Sequence, residues 1–525
     1  MQLDNTTTTL GIISLLCFSA CSDKQKEANQ QQEDPNIIMI SADDLGWSDL
    51  GCYGSEIETP NLDSLAENGM RFTRFYNTSK SFPSRACLLT GLYAQQCGYG
   101  QSHDNPISNA VTLGEVLKKA GYRTLWAGKH HGAEKPVNIG FDRYYGLKDG
   151  CCNYFNPGDQ REGEGKPAHK KWAYPREWCI DDSLYTPFTP EAEDFYTTDY
   201  FTNHSISWLE QYKNEDKPFF LYLAYTAPHD PLMAWPEDIA KYEGAFDGGY
   251  QEVRQRRYSN QLQSGLLDAS LHKLPEPAFT PWDSLSPEKQ AEQEKIMEVY
   301  AAMIDRMDQN IGRLLHKLRE LGEAENTLIM FASDNGASSE VVGGSSVVSS
   351  GEIGTLTRWS SLGENWANVS NTPFRYYKNY SYEGGINTPF IAYWPEHIEP
   401  NSNSDFPGHF IDLMATVVDL TGVEYPESYE GEKVYPYEGK SLLPVFRGKS
   451  MERDKPLFFQ WSDGRAVHMG KWKIVKEGVD NPWKLYNIDK DPTETTDLSD
   501  ENTDVVNRLD SLHRQWRNRV QKAPE

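Results

Sequence analysis

Three things are scarce in this chain, and each scarcity excludes something. Positive charge is the first: 51 Lys and Arg stand against 77 Asp and Glu in 525 residues, a formal net charge of −26. Nucleic acids and anionic membrane surfaces are read by clustered Lys and Arg, so a chain this acidic is built for neither. Long apolar runs are the second. The N-terminal run from Leu10 to Ala20 has the length of a signal-peptide core and is too short to span a bilayer. A hydrophobic fraction of 38% suits a globular protein in water better than a membrane bundle. Metal-binding cysteine spacing is the third, for none of the 8 cysteines forms a CxxC pair, which excludes the common structural zinc sites. What remains is a chain too long for one small core, and one large domain with a smaller one is expected.

The first residues read as an export signal. Phe18-Ser19-Ala20-Cys21 resembles a bacterial lipoprotein box, in which small residues precede a cysteine that is cleaved and lipidated. Residues 1–21 are then the signal, and the polar tract 22–34 is a tether. Phe18 stands where Leu is usual, and Met1 to Thr9 carries Asp4 but no Lys or Arg, so a plain cleaved signal is the alternative. Either signal exports the chain, to the periplasm or to the outer membrane of a Gram-negative bacterium, with a lipid anchor as its one link to a membrane. Setting aside Cys17 and Cys21, six cysteines remain in a compartment that permits disulfides. Cys151 and Cys152 together with Cys179 are a candidate loop staple, with the connectivity open.

Past the tether, short apolar runs stop at polar residues. NIIMIS (Asn36 to Ser41) runs into Asp43 and Asp44, and TLIMFAS (Thr327 to Ser333) into Asp334 and Asn335. FFLYLAY (Phe219 to Tyr225) leads to Pro228 and His229, and YRTLWAG (Tyr122 to Gly128) to Lys129, His130 and His131. Runs of this length with no polar alternation read as strands buried on both faces, hence a parallel or mixed sheet. Helical stretches lie between them, among them Thr59 to Gly69 and Val299 to Leu321, where Ile304, Met307, Ile311, Leu314, Leu315 and Leu318 form one apolar stripe. The fold class is therefore α/β, a large mixed, mostly parallel sheet sandwiched by helices, with a ligand site beyond the carboxyl ends of the strands. This catalytic domain is read as 35–450. From Met451 to the end, the strand-like PLFFQWS and RAVHMGKWKIV and a helix near Val505 to Val520 read as a smaller α+β subdomain.

All four polar clusters fall at that one edge. Asp43, Asp44, Asp334 and Asn335 offer hard oxygen ligands of the kind that hold Ca²⁺ or Mg²⁺. Three carboxylates packed together without a cation repel one another, so a divalent ion is the economical reading. Either pair alone would be an ordinary turn or helix cap after a strand. Arg85, Lys129, His131, His229 and, further on, Lys378 add a ring of cations, each unremarkable singly and together suited to an anion.

The stretch SFPSRACLLTG, Ser81 to Gly91, has the punctuation of a short helix, with Pro near its start and Gly past its end. A helix N-terminus is also where an anion binds. Ser81-Phe82-Pro83-Ser84-Arg85 with Leu89-Thr90-Gly91 resembles the signature of the formylglycine-dependent type I sulfatases, of the alkaline phosphatase superfold: Cys or Ser, x, Pro, Ser, Arg, then Leu-Thr-Gly. The resemblance runs from Asn36 to the C-terminal KWKIVKEGVDNPWKLYNIDKDPTETTDL and falls in the arylsulfatase-type branch. It implies that a maturase oxidises Ser81 to formylglycine, and that one Ca²⁺ is bound by Asp43, Asp44, Asp334, Asn335 and the matured Ser81. It further implies that Arg85, Lys129, His131, His229 and Lys378 hold the sulfate and the aldehyde hydrate. Of the hydrate's two hydroxyls, one attacks sulfur; the other, deprotonated by a base such as His131, expels sulfate by re-forming the carbonyl. His229 is then the acid for the leaving alcohol. His130 replaces the usual Trp of Gly-Lys-Trp-His, and Leu92 replaces a frequent Arg or Lys.

Substrate is less legible. The Ser/Gly-rich stretch Gly336 to Thr372 and the aromatic stretch Tyr144 to Phe188 follow site strands and are expected to line the mouth, with Trp172, Trp178, Trp359 and Trp366 as ring-stacking candidates or loop anchors. The resemblance also lets Arg465 or His468 reach substrate. An exported enzyme of this kind fits exo-removal of O-sulfate from terminal galactose-type or hexosamine sugars of sulfated glycans. Aryl sulfate hydrolysis, phosphonate or phosphate ester hydrolysis on the same superfold, and an inactive glycan-binding lipoprotein are the alternatives.

Overall fold

The strand Asn36–Asp43 is buried at every position, and this explains its unbroken apolar run. Its alternate side chains feed two different cores: Ile38 and Ile40 one, Ile37 and Met39 the other. It lies parallel to Thr327–Ser333 on one side and to Phe219–Pro228 on the other. Phe219–Pro228 pairs in parallel with Arg123–Gly128, and that strand with Arg143–Leu147. The four apolar runs of the sequence are thus four adjacent strands.

The computed structural model describes residues 34–276 and 280–524. The signal, the lipoprotein box and all of the tether but Asp34 lie outside the described residues. From one edge to the other, the ten-stranded sheet runs Ser402–Ser404, Met70–Phe72, Phe390–Tyr393, Thr327–Ser333, Asn36–Asp43, Phe219–Pro228, Arg123–Gly128, Arg143–Leu147, Trp178–Ile180, Ser183–Tyr185. Antiparallel strands flank the parallel centre: Phe390–Tyr393 beyond Thr327–Ser333, and Trp178–Ile180 beyond Arg143–Leu147. The expected mixed, mostly parallel sheet between helices is what the chain forms. The stretch expected at the mouth, Tyr144 to Phe188, also contributes the strands at one edge of the sheet.

The helix Pro287–Leu321 has 35 residues, twelve more at its start than the apolar stripe marked, because its first turns are charged and lie toward solvent. Ser286 caps it by accepting from the Lys289 amide, and Gly322 closes it at φ 78°. The C-terminal strands Leu457–Trp461, Gly464–Met469, Trp472–Lys476 and Lys484–Asn487 form an antiparallel sheet, followed by the helix Thr503–Val520. Leu457, Phe459, Val467, Ile474 and Trp516 share one core with Ile37 and Met39 of the main sheet, and everything from Pro35 onward forms one compact unit. The boundary near Met451 is a change of sheet within that unit.

The candidate loop staple does not form: Cys52, Cys87, Cys97, Cys151, Cys152 and Cys179 are all free. Cys151 and Cys152 belong to one core and Cys179 to the other, with the sheet between them.

Candidate active site

Strand register assembles the site. Ala42 lies opposite Ser333 in the parallel ladder, so the residues that follow, Asp43 and Asp44 on one strand and Asp334 and Asn335 on the other, emerge side by side. On the opposite flank, Asp43 pairs with Pro228, which delivers His229 next to Asp44. The Lys129 amide donates to the carbonyl of Ala224 at 2.7 Å, bringing Lys129 to the same edge. Asp44 sits at φ 65°, a left-handed turn that directs the chain off the sheet.

Ser81 opens the helix Ser81–Thr90, of which all ten residues are buried. The helix begins two residues before Pro83, and no side chain caps it. The Ser81 hydroxyl is directed away from the helix, donating to Asn335 Oδ1 at 3.0 Å and lying 3.4 Å from Asp43 Oδ1. Lys129 Nζ pairs with Asp43 Oδ2 at 2.5 Å, and Lys378 Nζ lies 2.8 and 2.9 Å from the two oxygens of Asp44. Asn335 Nδ2 donates to Asp44 Oδ1 at 2.6 Å. Arg85 Nε donates to Asp334 Oδ2 at 2.8 Å and Nη1 to the Lys129 carbonyl at 3.1 Å, while Nη2 is buried without a hydrogen-bond partner. His229 Nε2 is 3.5 Å from Asp44 Oδ2. These nine residues therefore share one contact network.

His131 is brought to the rim of that network without a hydrogen bond to Ser81. Its ring packs edge-on against Phe82, at 5.8 Å between centroids, and against His103 at 4.7 Å. Burial, reinforced by Lys129, pushes its pKa well below the ordinary histidine value, so the imidazole is neutral, with a ring nitrogen free to accept a proton. His229 goes the other way: burial works against its charge, but Asp44 and Asp43 outweigh it and raise the pKa to about 9. Asp334 is raised to about 6, by burial and by Asp43, against the pull of Arg85. For Asp44, burial opposes ionisation, yet His229 and Lys378 hold it below the ordinary carboxylate range.

One donor atom each from Asp43, Asp44 and His229 lies within 4.8 Å of the others. The oxygens of Asp43, Asp44, Asp334 and Asn335 beside the Ser81 hydroxyl are the set that suits a hard divalent cation. The raised Asp334 is a carboxylate short of positive charge, as such a site would leave it.

Sequence reasoning missed a support behind His229. Its Nδ1 faces the Asp230 carbonyl at 2.7 Å and Asp230 Oδ1 at 3.0 Å. Asp230 is held in turn by Ser361 Oγ at 2.6 Å and Trp359 Nε1 at 3.2 Å, with Lys170 at 3.8 Å. Only the adjacency of His229 and Asp230 was visible in the chain. Lys80, paired with Glu340 at 2.9 Å and lying 5.8 Å from the Trp461 ring centroid, was also missed. Of the four tryptophans proposed for stacking, Trp178 and Trp366 are fully buried core residues, Trp359 braces Asp230, and Trp172 alone is open to solvent. His468 is buried against Tyr76. His130 packs edge-on against Trp126, at 4.9 Å between ring centroids.

The family model described as Sulfatase matches residues 35–423, and the model for the C-terminal region of N-sulphoglucosamine sulphohydrolase matches 374–522. The chain belongs to the sulfatase family. It is a sulfuric ester hydrolase. This sulfatase is 32% identical over 532 residues to an uncharacterised sulfatase of Schizosaccharomyces pombe, covering 93% of each chain. It is 34% identical over 454 residues to the arylsulfatase of Klebsiella aerogenes, covering 81% of this sulfatase and 94% of the relative. Among solved structures, Ps i-CgsB in complex with k-i-k-neocarrahexaose is similar at a TM-score of 0.68 and 26% identity, over 94% of both chains.

Proposed function

We propose that Ser81 is matured to formylglycine, that the divalent ion is calcium, and that the enzyme removes O-sulfate from terminal sugars of sulfated glycans. The observation that carries this reading is the Ser81 hydroxyl, which sits among Asp43, Asp44, Asp334 and Asn335 with Lys129, Lys378 and His229 around it. Calcium held by those oxygens would lower the pKa of the attacking hydroxyl and neutralise charge on the sulfate. The hydrated aldehyde supplies a second hydroxyl, so that sulfate leaves by C–O cleavage with no water attacking sulfur.

The chain's own residues do the rest. Lys129 and Lys378, now paired with Asp43 and Asp44, are placed to exchange those partners for sulfate oxygens. Arg85 fixes Asp334 and keeps one buried donor in reserve. His229 carries a proton on Nε2 for the leaving oxygen, oriented through Nδ1 by Asp230. Neutral His131 is the base. The bound hexaose of the Ps i-CgsB complex supports a glycan substrate, and the 34% identity to an arylsulfatase favours aryl sulfates as the second reading. The N-terminal signal motif supports export to the periplasm or outer membrane, where such glycans are met, and Ser81 requires a serine-competent maturase as partner.

Mass spectrometry of the peptide carrying residue 81 tests the first step: active enzyme should show it two hydrogens lighter than serine. Full turnover by protein with intact serine would overturn the mechanism. A panel of sulfated mono- and oligosaccharides against aryl sulfates and phosphate esters then decides the substrate, with kcat/KM highest on terminal sugar sulfates.

A further inference from the structure

Lys378 stands on a short, irregular piece of backbone between two left-handed residues. Tyr376 and Asn379, on either side, adopt φ of 62° and 78°, a region that non-glycine residues occupy at a cost and keep only when the surroundings impose it. Main-chain bonds tie the segment at several points: the Lys378 amide donates to the Ala337 carbonyl at 3.1 Å, the Asn379 amide to Ser79 at 2.8 Å, the Tyr380 amide to Tyr377 at 3.1 Å and the Gly384 amide to Arg375 at 2.9 Å.

Side chains of the main domain add two bonds, from Tyr377 Oη to Glu364 Oε1 at 2.7 Å and from Asn379 Nδ2 to Glu340 Oε1 at 3.1 Å, and a further set comes from the C-terminal sheet and the loop after it. Trp461 Nε1 donates to Asn379 Oδ1 at 3.1 Å. The Ser381 amide donates to Glu477 Oε1 at 2.6 Å. Lys473 Nζ lies 2.7 Å from Glu383 Oε1 and 2.7 Å from Glu494 Oε1, with the three side chains 0%, 2% and 0% exposed. Glu494 Oε2 accepts from the Glu383 amide at 2.9 Å, and its carbonyl accepts from Arg375 Nη1 at 2.8 Å. These bonds land on residues 375, 379, 381 and 383, on both flanks of Lys378. Well-packed apolar side chains would stabilise such an interior as well as a buried ionic triad does. What the triad adds is direction, because each charge fixes where its partners stand.

We propose that Lys473, acting with Glu494 through Glu383, is a positioning residue for sulfate hydrolysis: it sets the place from which Lys378 reaches Asp44 and the bound sulfate. An ångström of drift in a charged group at a reacting centre is enough to cost a large part of the rate. The C-terminal sheet is thereby part of the catalytic apparatus without touching substrate. The inference rests on Lys378 acting on the sulfate, as proposed above.

The test is a four-point kinetic cycle on the full-length, matured enzyme with p-nitrophenyl sulfate: wild type, Lys473→Met, Lys378→Ala and the double variant. Lys473→Met is expected to lower kcat by about tenfold or more with a smaller change in KM, and Lys473→Arg to restore part of the loss. In the Lys378→Ala background, Lys473→Met should add less than about twofold, because coupled residues are not additive. Effects that multiply in full would overturn the positioning role, as would a loss that merely tracks the folded fraction measured by calorimetry. Should Lys473→Met fail to fold, Trp461→Phe, which removes the bond to Asn379 and keeps an aromatic ring, runs through the same cycle with the same two outcomes. Near-normal activity of Lys378→Ala alone would overturn the role given to Lys378 itself.

Discussion

Lys129 and Lys378 each face two demands, and their variants should separate them. In the described structure each is the counter-charge of a buried aspartate, at 2.5 Å for Asp43 and 2.8 Å for Asp44. Under the function proposed above, each also serves the sulfate in turnover. Lys129→Ala and Lys378→Ala should therefore each lose about 2 to 4 kcal/mol of transition-state stabilisation, read from kcat/KM. They should also leave a buried carboxylate uncompensated, a loss of about 3 to 5 kcal/mol in unfolding free energy when measured in a chelator. Added calcium should recover most of the second loss and none of the first. Ser81→Ala should fold with little change in melting temperature, because the serine side chain caps nothing, and should be inactive.

The helix Pro60–Glu67 is capped from a distance. Its N-cap residue, Thr59, makes no capping bond; instead Asp308, in the middle of the long helix Pro287–Leu321, accepts from the amides of Asn61 at 3.0 Å and Leu62 at 2.8 Å. Burial raises Asp308 to about 6 despite those hydrogen bonds. A carboxyl whose pKa is higher folded than unfolded binds more protons in the native state, so its contribution is full below about pH 4 and is lost as pH rises through 6. Urea unfolding of Asp308→Ala should show a loss of about 1 to 3 kcal/mol at pH 4.5, from two orphaned amides, and a smaller difference at pH 7.5. An unchanged difference between the two pH values would contradict the buried, protonated cap. A cap supplied by another helix has no sequence signature, since the 3.6-residue period that exposed the Ile304 to Leu318 stripe says nothing of Asp308 between them.

At the scale of the whole molecule, the C-terminal sheet completes a core that the main sheet begins. A chain ending at 450 would uncover Ile37, Met39 and their neighbours, and should be recovered from expression insoluble or without cooperative melting. The four central strands, their polar ends and the residues that meet there were legible in the chain, because a parallel strand buried on both faces writes itself as an apolar run ending at its function. The edge strands within Tyr144 to Phe188 were not, since short partners at a sheet border carry no period long enough to see. Cys179 could not be told from Cys151 and Cys152 until the sheet stood between them. Asp230, Lys473 and Glu494 were unreadable for a simpler reason: an isolated charge in sequence looks solvated, and only packing shows that it is not.

Ser81 is 1% exposed, and the ten residues of its helix are all covered. Another enzyme can reach that side chain only while the surrounding segment is open, because the folded protein withholds the whole of it. Under the maturation proposed above, conversion and folding therefore compete for the same minutes of the chain's life. The aldehyde content of a purified batch becomes a measure of how long the nascent chain stayed open, and culture conditions that delay folding should raise it without any added maturase.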